Sequence, residues 1–403
     1  MTVAQKGVIA DEAMSEKVML DATAEPTMLP TARYNLPAAR ASPTAKSHRL
    51  WSMQKYWFLL FALIPGLCLA ATGAAPPPVQ SYDVYKSWLV ACDNTLSCEA
   101  KGFNQSGDRA EFVIKREAGP AGALDAWIAS EAHFGLDQVK IDGAPVSIGP
   151  GWQRKDDDDS TTVSTSGLAA IQDLVKRLRN AKTLDLPEGK SVPLDGLAAA
   201  LLRMDARQGR AGGETALLAR GNRPASLVPP APSLPSVPAH EITAALAKGE
   251  AQKLIDSARG AVAKTFSSEG CDDKVEGMDA AAYALDETRA LVLIPCIMGA
   301  YQGSYLGFLV QRRDGSAAPL NLSAPYQGND PSQATLTDLT EADFAPQTGT
   351  LAMSAKGRGL ADCGFAASWI WNGTGFVLSA LSMQDACGGL QPGDWPTLFR
   401  SAQ

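Results

Sequence analysis

Six cysteines, Cys92, Cys98, Cys271, Cys296, Cys363 and Cys387, are the residues of this 403-residue chain whose type and spacing most directly imply chemistry. A thiol can ligate a metal, attack an electrophile or pair with another thiol. No C-x-x-C pair occurs and no His lies near any of the six, so a zinc set is not indicated. An even count suits disulfides, and six cysteines permit about 15 pairings. Proximity favours 92–98, 271–296 and 363–387, closing loops of 5, 24 and 23 intervening residues. Other chemistry is scarce. Only His48, His133 and His240 could supply imidazole, and no G-x-S-x-G, H-E-x-x-H, P-loop or G-x-G-x-x-G is present. The pattern names no catalytic residue, no metal ligand set and no cofactor, and it points away from an enzyme.

The cysteines follow a hydrophobic leader. Tyr56 to Ala71 is a run of 16 uncharged residues, interrupted by Pro65-Gly66. A span of the bilayer needs about 20 apolar residues. Lys55 precedes the run and Ala71-Thr72-Gly73-Ala74-Ala75 follows it, which is the layout of a cleaved secretory signal over 53–74. An uncleaved membrane anchor is the alternative. Met53 is a fitting start, so residues 1–52, with scattered charges and no sustained apolar period, are expected to be disordered and an over-extended N-terminus. Cys68 sits within the leader behind Leu67, where lipoprotein processing needs a small residue; it reads as apolar filler.

Without residues 1–73 the chain keeps 29 basic against 38 acidic residues, a net charge of −9. That balance excludes a whole-protein electrostatic case for nucleic-acid binding and does not favour anionic membrane surfaces. Export places the six cysteines where disulfides persist.

Pro76-Pro77-Pro78 is a tether. Short β-like runs follow at Trp88–Ala91, Glu111–Ile114 and Gln138–Ile141, the last ending in the turn Asp142-Gly143. Asp156–Asp159 reads as a solvated loop rather than a calcium site. Leu168, Ile171, Leu174, Val175 and Leu178 recur at helical spacing. A second helix is expected from an Asp195 N-cap, carrying Leu197, Leu201, Leu202 and Met204. Arg203, Arg207 and Arg210 would then share one helix face, either solvated or offered to an acidic partner.

Six prolines between 224 and 238 forbid helix and central strand there. The chain is therefore expected to be α+β with two domains: 80–223, β-rich with two helices; a Pro-rich linker, 224–240; and 241–403, a helix over Glu241–Ser268 followed by an antiparallel sheet. The strands expected in that sheet are Leu291–Pro295, Tyr305–Val310, Leu351–Ser354, Ser368–Trp371 and Phe376–Leu381, with a hairpin at Asn372-Gly373. Trp369 and Trp371 share a face, as core aromatics or as a carbohydrate platform.

Several stretches carry a family resemblance. They are Trp88-Leu89-Val90-Ala91-Cys92-Asp93-Asn94 with Cys98, Gly196 to Asp205 continuing to Gln208-Gly209-Arg210, Lys356-Gly357-Arg358-Gly359 with Asp362-Cys363-Gly364, and Trp395-Pro396-Thr397-Leu398. Over nearly all of 80–403 the chain resembles the exported bacterial six-cysteine family known as domain of unknown function 1176. More loosely, 83–223 is similar to the invasion-associated locus B proteins. The resemblance implies a Gram-negative periplasmic setting and no activity. Leu360-Ala361 and Gly388 stand where the family pattern leads one to expect a Gly before Asp362 and an Arg after Cys387.

The expected function is a non-catalytic binding or interaction protein of the envelope, meeting an envelope protein or a glycan. Lys356, Arg358 and Asp362 around Cys363 form the candidate surface, with Arg203, Arg207 and Arg210 as a second patch. A cell-wall-directed hydrolase, or an inhibitor of one, is the alternative.

Overall fold

The strand Trp88–Cys92 sets the architecture, because all five of its residues are buried. It pairs on one side with Ser81–Tyr85 and on the other with Cys98–Phe103. The computed structural model describes residues 80–402, apart from 106, 108, 262, 264–268, 273 and 326–334. The leader at 53–74, residues 1–52, Cys68 and the tether at 76–78 lie outside the described residues. The first sheet has seven antiparallel strands, continuing through Ala110–Arg116, Leu124–Ser130 and Ser160–Thr165 to Gln153–Asp157 at its edge.

Helices α1 (Leu168–Leu178) and α2 (Leu197–Arg207) cover one face of this sheet. Ile171, Leu174, Val175 and Leu178 of α1 are buried, as their spacing requires. Trp88 packs edge-on against Phe112 and donates from Nε1 to the Pro193 carbonyl, so the buried indole is satisfied. The N-cap of α2 is Gly196, not Asp195. Gly196 adopts φ 103°, and a Cβ there would meet the Tyr85 carbonyl oxygen at 1.7 Å. Asp195 instead forms a surface pair with Lys86. Gly196→Ala should therefore destabilise the protein by about 1–3 kcal/mol, with the backbone collision added to the conformational strain. The midpoint of urea unfolding reads this, and an unchanged midpoint would refute it.

Asp142 and Gly143 both take positive φ and close a two-residue hairpin between Lys140–Ile141 and Ala144–Pro145. The strand is shorter than Gln138–Ile141, because Leu136–Gln138 is a 3-10 turn held by Gln138 Oε1 accepting from the Gly135 amide. The four-Asp run is not a plain loop. Asp156 and Asp157 belong to an exposed edge strand, where Arg154 and Lys155 offset their charges, and Asp158-Asp159 makes the turn.

In the second half, strands Ala281–Ala284, Arg289–Met298, Gly303–Gln311 and Ala317–Pro319 form one antiparallel sheet, with Asp338–Thr340 also pairing to Gly303–Gln311. The apolar run 290–294 is continuous because both its faces are buried. Ala290, Val292 and Ile294 meet Leu254, Ile255 and Ala258 of α3 (Glu250–Ala261), while Leu291 and Leu293 enter a different core on the opposite face. Helix α3 starts nine residues later than its Ala-rich pattern implies. The His240 amide donates to the Trp371 carbonyl and Ile242 packs into the neighbouring core, which keeps that stretch extended. Gly249 turns at φ 77° and Glu250 accepts from the Ala247 amide. Part of 262–268 lies outside the described residues.

The last sheet runs Asp343–Ala345, Thr350–Lys356, Gly364–Trp371, Phe376–Gln384 and Thr397–Arg400. Trp369 and Trp371 are fully buried, so they are core aromatics and cannot be a carbohydrate platform. Asn372 Oδ1 accepts from the Thr374 and Gly375 amides to close the hairpin at that position. The class is α+β, mostly strand, with α1, α2 and α3 as the helices whose bounds lie among the described residues. Among the described residues no helix is long and apolar enough to cross a membrane.

The Pro-rich segment stays extended apart from a 3-10 turn at Ala225–Leu227. It is tied to the last strand: the Val237 amide donates to the Ala402 carbonyl and the Ala402 amide to the Pro235 carbonyl. The halves it separates also share a core, since Ala91 of the first sheet packs with Leu293, Trp369 and Leu398 of the second half.

Candidate functional site

Three disulfides join Cys92 to Cys98, Cys271 to Cys296 and Cys363 to Cys387, the nearest-neighbour pairing. Each fixes a different piece. Cys92–Cys98 closes a turn whose hub is Asp93: its Oδ1 accepts from the Thr95 amide, the Thr95 hydroxyl and the Ser97 amide, all within 2.9 Å. Asn94 then clamps the C-terminal strand, donating to the Arg400 carbonyl and accepting from the Arg400 amide. Arg400 returns to Asp93 at 2.6 Å. Cys296 sits at a bulge in its strand, where the register shifts between Pro295 and Ile297.

Cys363–Cys387 anchors the loop 385–396 against the first sheet. Gln384 Nε2 donates to the carbonyls of Asp362, Ala386 and Gly388. The Leu390 amide donates to Glu111 Oε2, and Arg109 donates to the Leu390 carbonyl. Beneath this loop Lys101 and Glu111, both almost fully buried, pair at 3.3 Å. Lys101 also donates to the Asp394 carbonyl, and Trp127 Nε1 donates to Glu111. Burial pulls the Lys101 ammonium down, but Glu111, Asp394 and Glu99 together hold it above its ordinary value.

Glu99 is the unsettled member of this seam. Burial is the main cause that lifts its carboxyl to about 7; Asp394 and Glu111 add to the rise, while Lys101 and Lys115 oppose it. The folded state therefore favours the protonated form relative to the unfolded chain. This group's stabilising contribution is complete below about pH 4.5 and is lost as the pH rises through about 7, a loss of roughly 3 kcal/mol. Glu99→Gln should flatten the fall in stability over that window. Denaturant titrations at pH 5 and pH 8 measure it, and parallel pH profiles for the two proteins would refute it.

The two arginine patches fare differently. Arg203 pairs with Asp83 at 2.9 Å and Arg207 is half-buried at the end of α2. Arg210 is fully buried beyond the helix, so the three form no common surface. Arg210 donates to the Glu117 and Gly119 carbonyls and to Thr215, and Gln208 Nε2 donates to the Leu96 and Arg116 carbonyls. Asp205, also buried, accepts from the amides of Leu217, Leu218 and Ala219. Asp205, Gln208 and Arg210 thus fasten loop backbone at 96, 117, 119 and 217–219, and Gln208 also reaches the end of the strand Ala110–Arg116.

Lys356, Arg358 and Asp362 do come together at one end of the last sheet. Arg358 forks onto Asp362, and the ion pair holds the Asp362 carboxyl below its usual range despite partial burial. A Cβ on Gly357 would meet Cys363 Sγ at 2.6 Å, so the loop can lie on the disulfide only with Gly there. Asp362, Cys363 and Cys387 cluster like metal ligands, but both sulfurs are spent in the disulfide. Gln302 bonds both the amide and the carbonyl of Lys356, which brings in the tip of the hairpin between Arg289–Met298 and Gly303–Gln311. That tip exposes Ile297, Met298 and Tyr301, and Leu360 is exposed on the adjoining loop. Tyr301 lies 3.9 Å from where a Gly359 Cβ would stand.

The histidines lie apart. His133 is exposed and meets Thr161 Oγ1 at 3.2 Å. Thr161 gives its proton to Asp156 at 2.5 Å, so His133 acts as donor toward it and activates no nucleophile. His240 flanks Gly373.

Sequence reading missed Glu99, Lys101, Glu111 and Asp205. The available signal was charge inside strongly apolar contexts, and Glu99 and Lys101 alternate with Cys98 and Ala100 as residues of a solvated face would.

A family described as "Protein of unknown function (DUF1176)" matches residues 82–402. The chain is 30% identical over 360 residues to "Uncharacterized protein YpfG" of Escherichia coli (strain K12), which covers 85% of this chain and 98% of that protein. No solved structure matches.

Proposed function

Because the chain belongs to the DUF1176 family of proteins of unknown function, we propose its role from its surfaces: an exported, periplasmic binding protein that docks an envelope protein through the end of its last sheet. The observation that carries this is the exposed apolar group Ile297, Met298, Tyr301 and Leu360 set beside Lys356. It stands on a platform fixed by Cys363–Cys387, Arg358–Asp362 and the two Gln302 bonds. Apolar side chains held on rigid backbone lose little freedom on binding, which is what a docking surface requires. Export is supported by the leader over 53–74 and by six cysteines that all pair.

The test is capture from periplasmic extract by the oxidised protein, with Tyr301→Asp/Leu360→Asp as comparison. Both sites are exposed, so the fold survives. The wild type should retain a defined protein that the double variant recovers at least about tenfold less well. Equal recovery by the two proteins would count against this surface. Locating the mature protein after cell fractionation checks the periplasmic part.

A further inference from the structure

A second surface, independent of the docking platform, lies where the Cys92–Cys98 turn meets the C-terminal strand. A small cleft of about 50 Å³ opens there, walled by Asp93, Ser97, Glu99, Lys115, Thr397 and Arg400. Its carboxylates are not equivalent. Asp93 is saturated by its turn amides and by Arg400. Glu99 is 7% exposed, its Oε1 has no hydrogen-bond partner, and its Oε2 stands 3.8 Å from Lys115 Nζ, wider than a hydrogen bond. A buried acceptor left without a donor is costly, and a ligand that supplies the donor recovers that cost.

We propose that this cleft binds a small zwitterion of the α-amino-acid class, its ammonium on Glu99 and its carboxylate on Lys115 and Arg400. The charges that line the cleft select that class. A simple cation would satisfy Glu99 but face the Lys115 ammonium and the Arg400 guanidinium. A simple anion would meet those two groups but leave Glu99 Oε1 unserved and stand close to Asp93. A ligand with both charged groups borne by one carbon answers both sides, and half-exposed Lys115 and Arg400 leave the mouth open to it. The Glu99 carboxyl, lifted to about 7 by burial and faced by Lys101, Lys115, Glu111 and Asp394, must ionise to hold an ammonium. Binding should accordingly tighten between pH 6 and pH 8 and release a proton.

The experiment is calorimetric titration of the oxidised full chain with L-alanine, D-alanine, propionate and ethylamine. At least one alanine enantiomer should bind saturably, with propionate and ethylamine about tenfold weaker or worse. Glu99→Gln should weaken alanine binding about tenfold, and Lys115→Gln, at a half-exposed position that the fold does not depend on, should weaken it severalfold. Equal binding of propionate would make the cleft an anion site, and equal binding of ethylamine a cation site; either overturns the proposal. So does the absence of saturable binding by both enantiomers, or wild-type affinity in both variants.

Discussion

Lys101→Met should destabilise the oxidised protein by about 3–5 kcal/mol, because it leaves Glu111 charged and buried without its partner. The two side chains pair at 3.3 Å beneath loop 385–396, both nearly inaccessible to water. Glu111 also accepts from Trp127 and from the Leu390 amide, so the carboxylate cannot simply turn outward to solvent. Glu111→Gln should destabilise as well: Trp127 donates to one carboxylate oxygen and Leu390 to the other, so a single amide oxygen keeps one bond, and the ammonium is left with Asp394 and Glu99. The double change to Met and Gln should recover part of the loss, giving a coupling that a double-mutant cycle reads directly. Urea unfolding at constant pH measures all three. Additive single losses would show that the pair is not coupled, and a Lys101→Met midpoint equal to the wild type would refute its structural weight.

Replacing Cys363 and Cys387 together by Ser should cost roughly 3 kcal/mol or somewhat more on the chain-entropy account, given a loop of 23 intervening residues. The same exchange at Cys92 and Cys98, whose loop has 5 intervening residues, should cost less. The larger consequence is local. The Gly388 amide donates to the Asp362 carbonyl and the Leu390 amide to Glu111, both within reach of the 363–387 bridge. Without the bridge these amides should exchange with solvent faster than those of the Trp88–Cys92 strand, which hydrogen-exchange measurements resolve residue by residue. Unchanged protection at Leu390 would mean that the Glu111 contact holds the loop without covalent help. The proposed docking platform at Lys356 and Tyr301 rests on the same bridge, so on that proposal partner capture should fall with it.

These two expectations show where sequence and structure part. The cysteine pairing that forms is the one proximity favoured, although the count alone left about 15 open. The helices at Leu168–Leu178 and Leu197–Arg207 were legible because a buried helix face must repeat at its own period. The strand at Arg289–Met298 was legible because a strand covered on both faces is apolar throughout. The Ala-rich stretch from Glu241 was misleading. Helix propensity there is overruled by the Ile242 side chain in the core and the His240 bond to Trp371, which no local pattern encodes.

Arg210 and Lys101 illustrate the other limit. A charge in a sequence is read as solvated because burying it alone is prohibitive. Arg210 is buried nonetheless, because carbonyls of residues 117 and 119, some ninety positions away, converge on it. Lys101 is buried because residue 394 and its loop fold over it.

By itself the sequence determined the class and the strand and helix periods, and its spacing favoured the three cysteine pairs that form, since each follows from neighbours along the chain. Only the tertiary structure decided that Asp93, Asn94, Gln208 and Arg210 are fasteners and that Glu99 faces an open cleft. It also placed an apolar hairpin tip beside the Lys356 loop. Each of those facts depends on which distant backbone arrives to satisfy, or leave unsatisfied, a polar group removed from water.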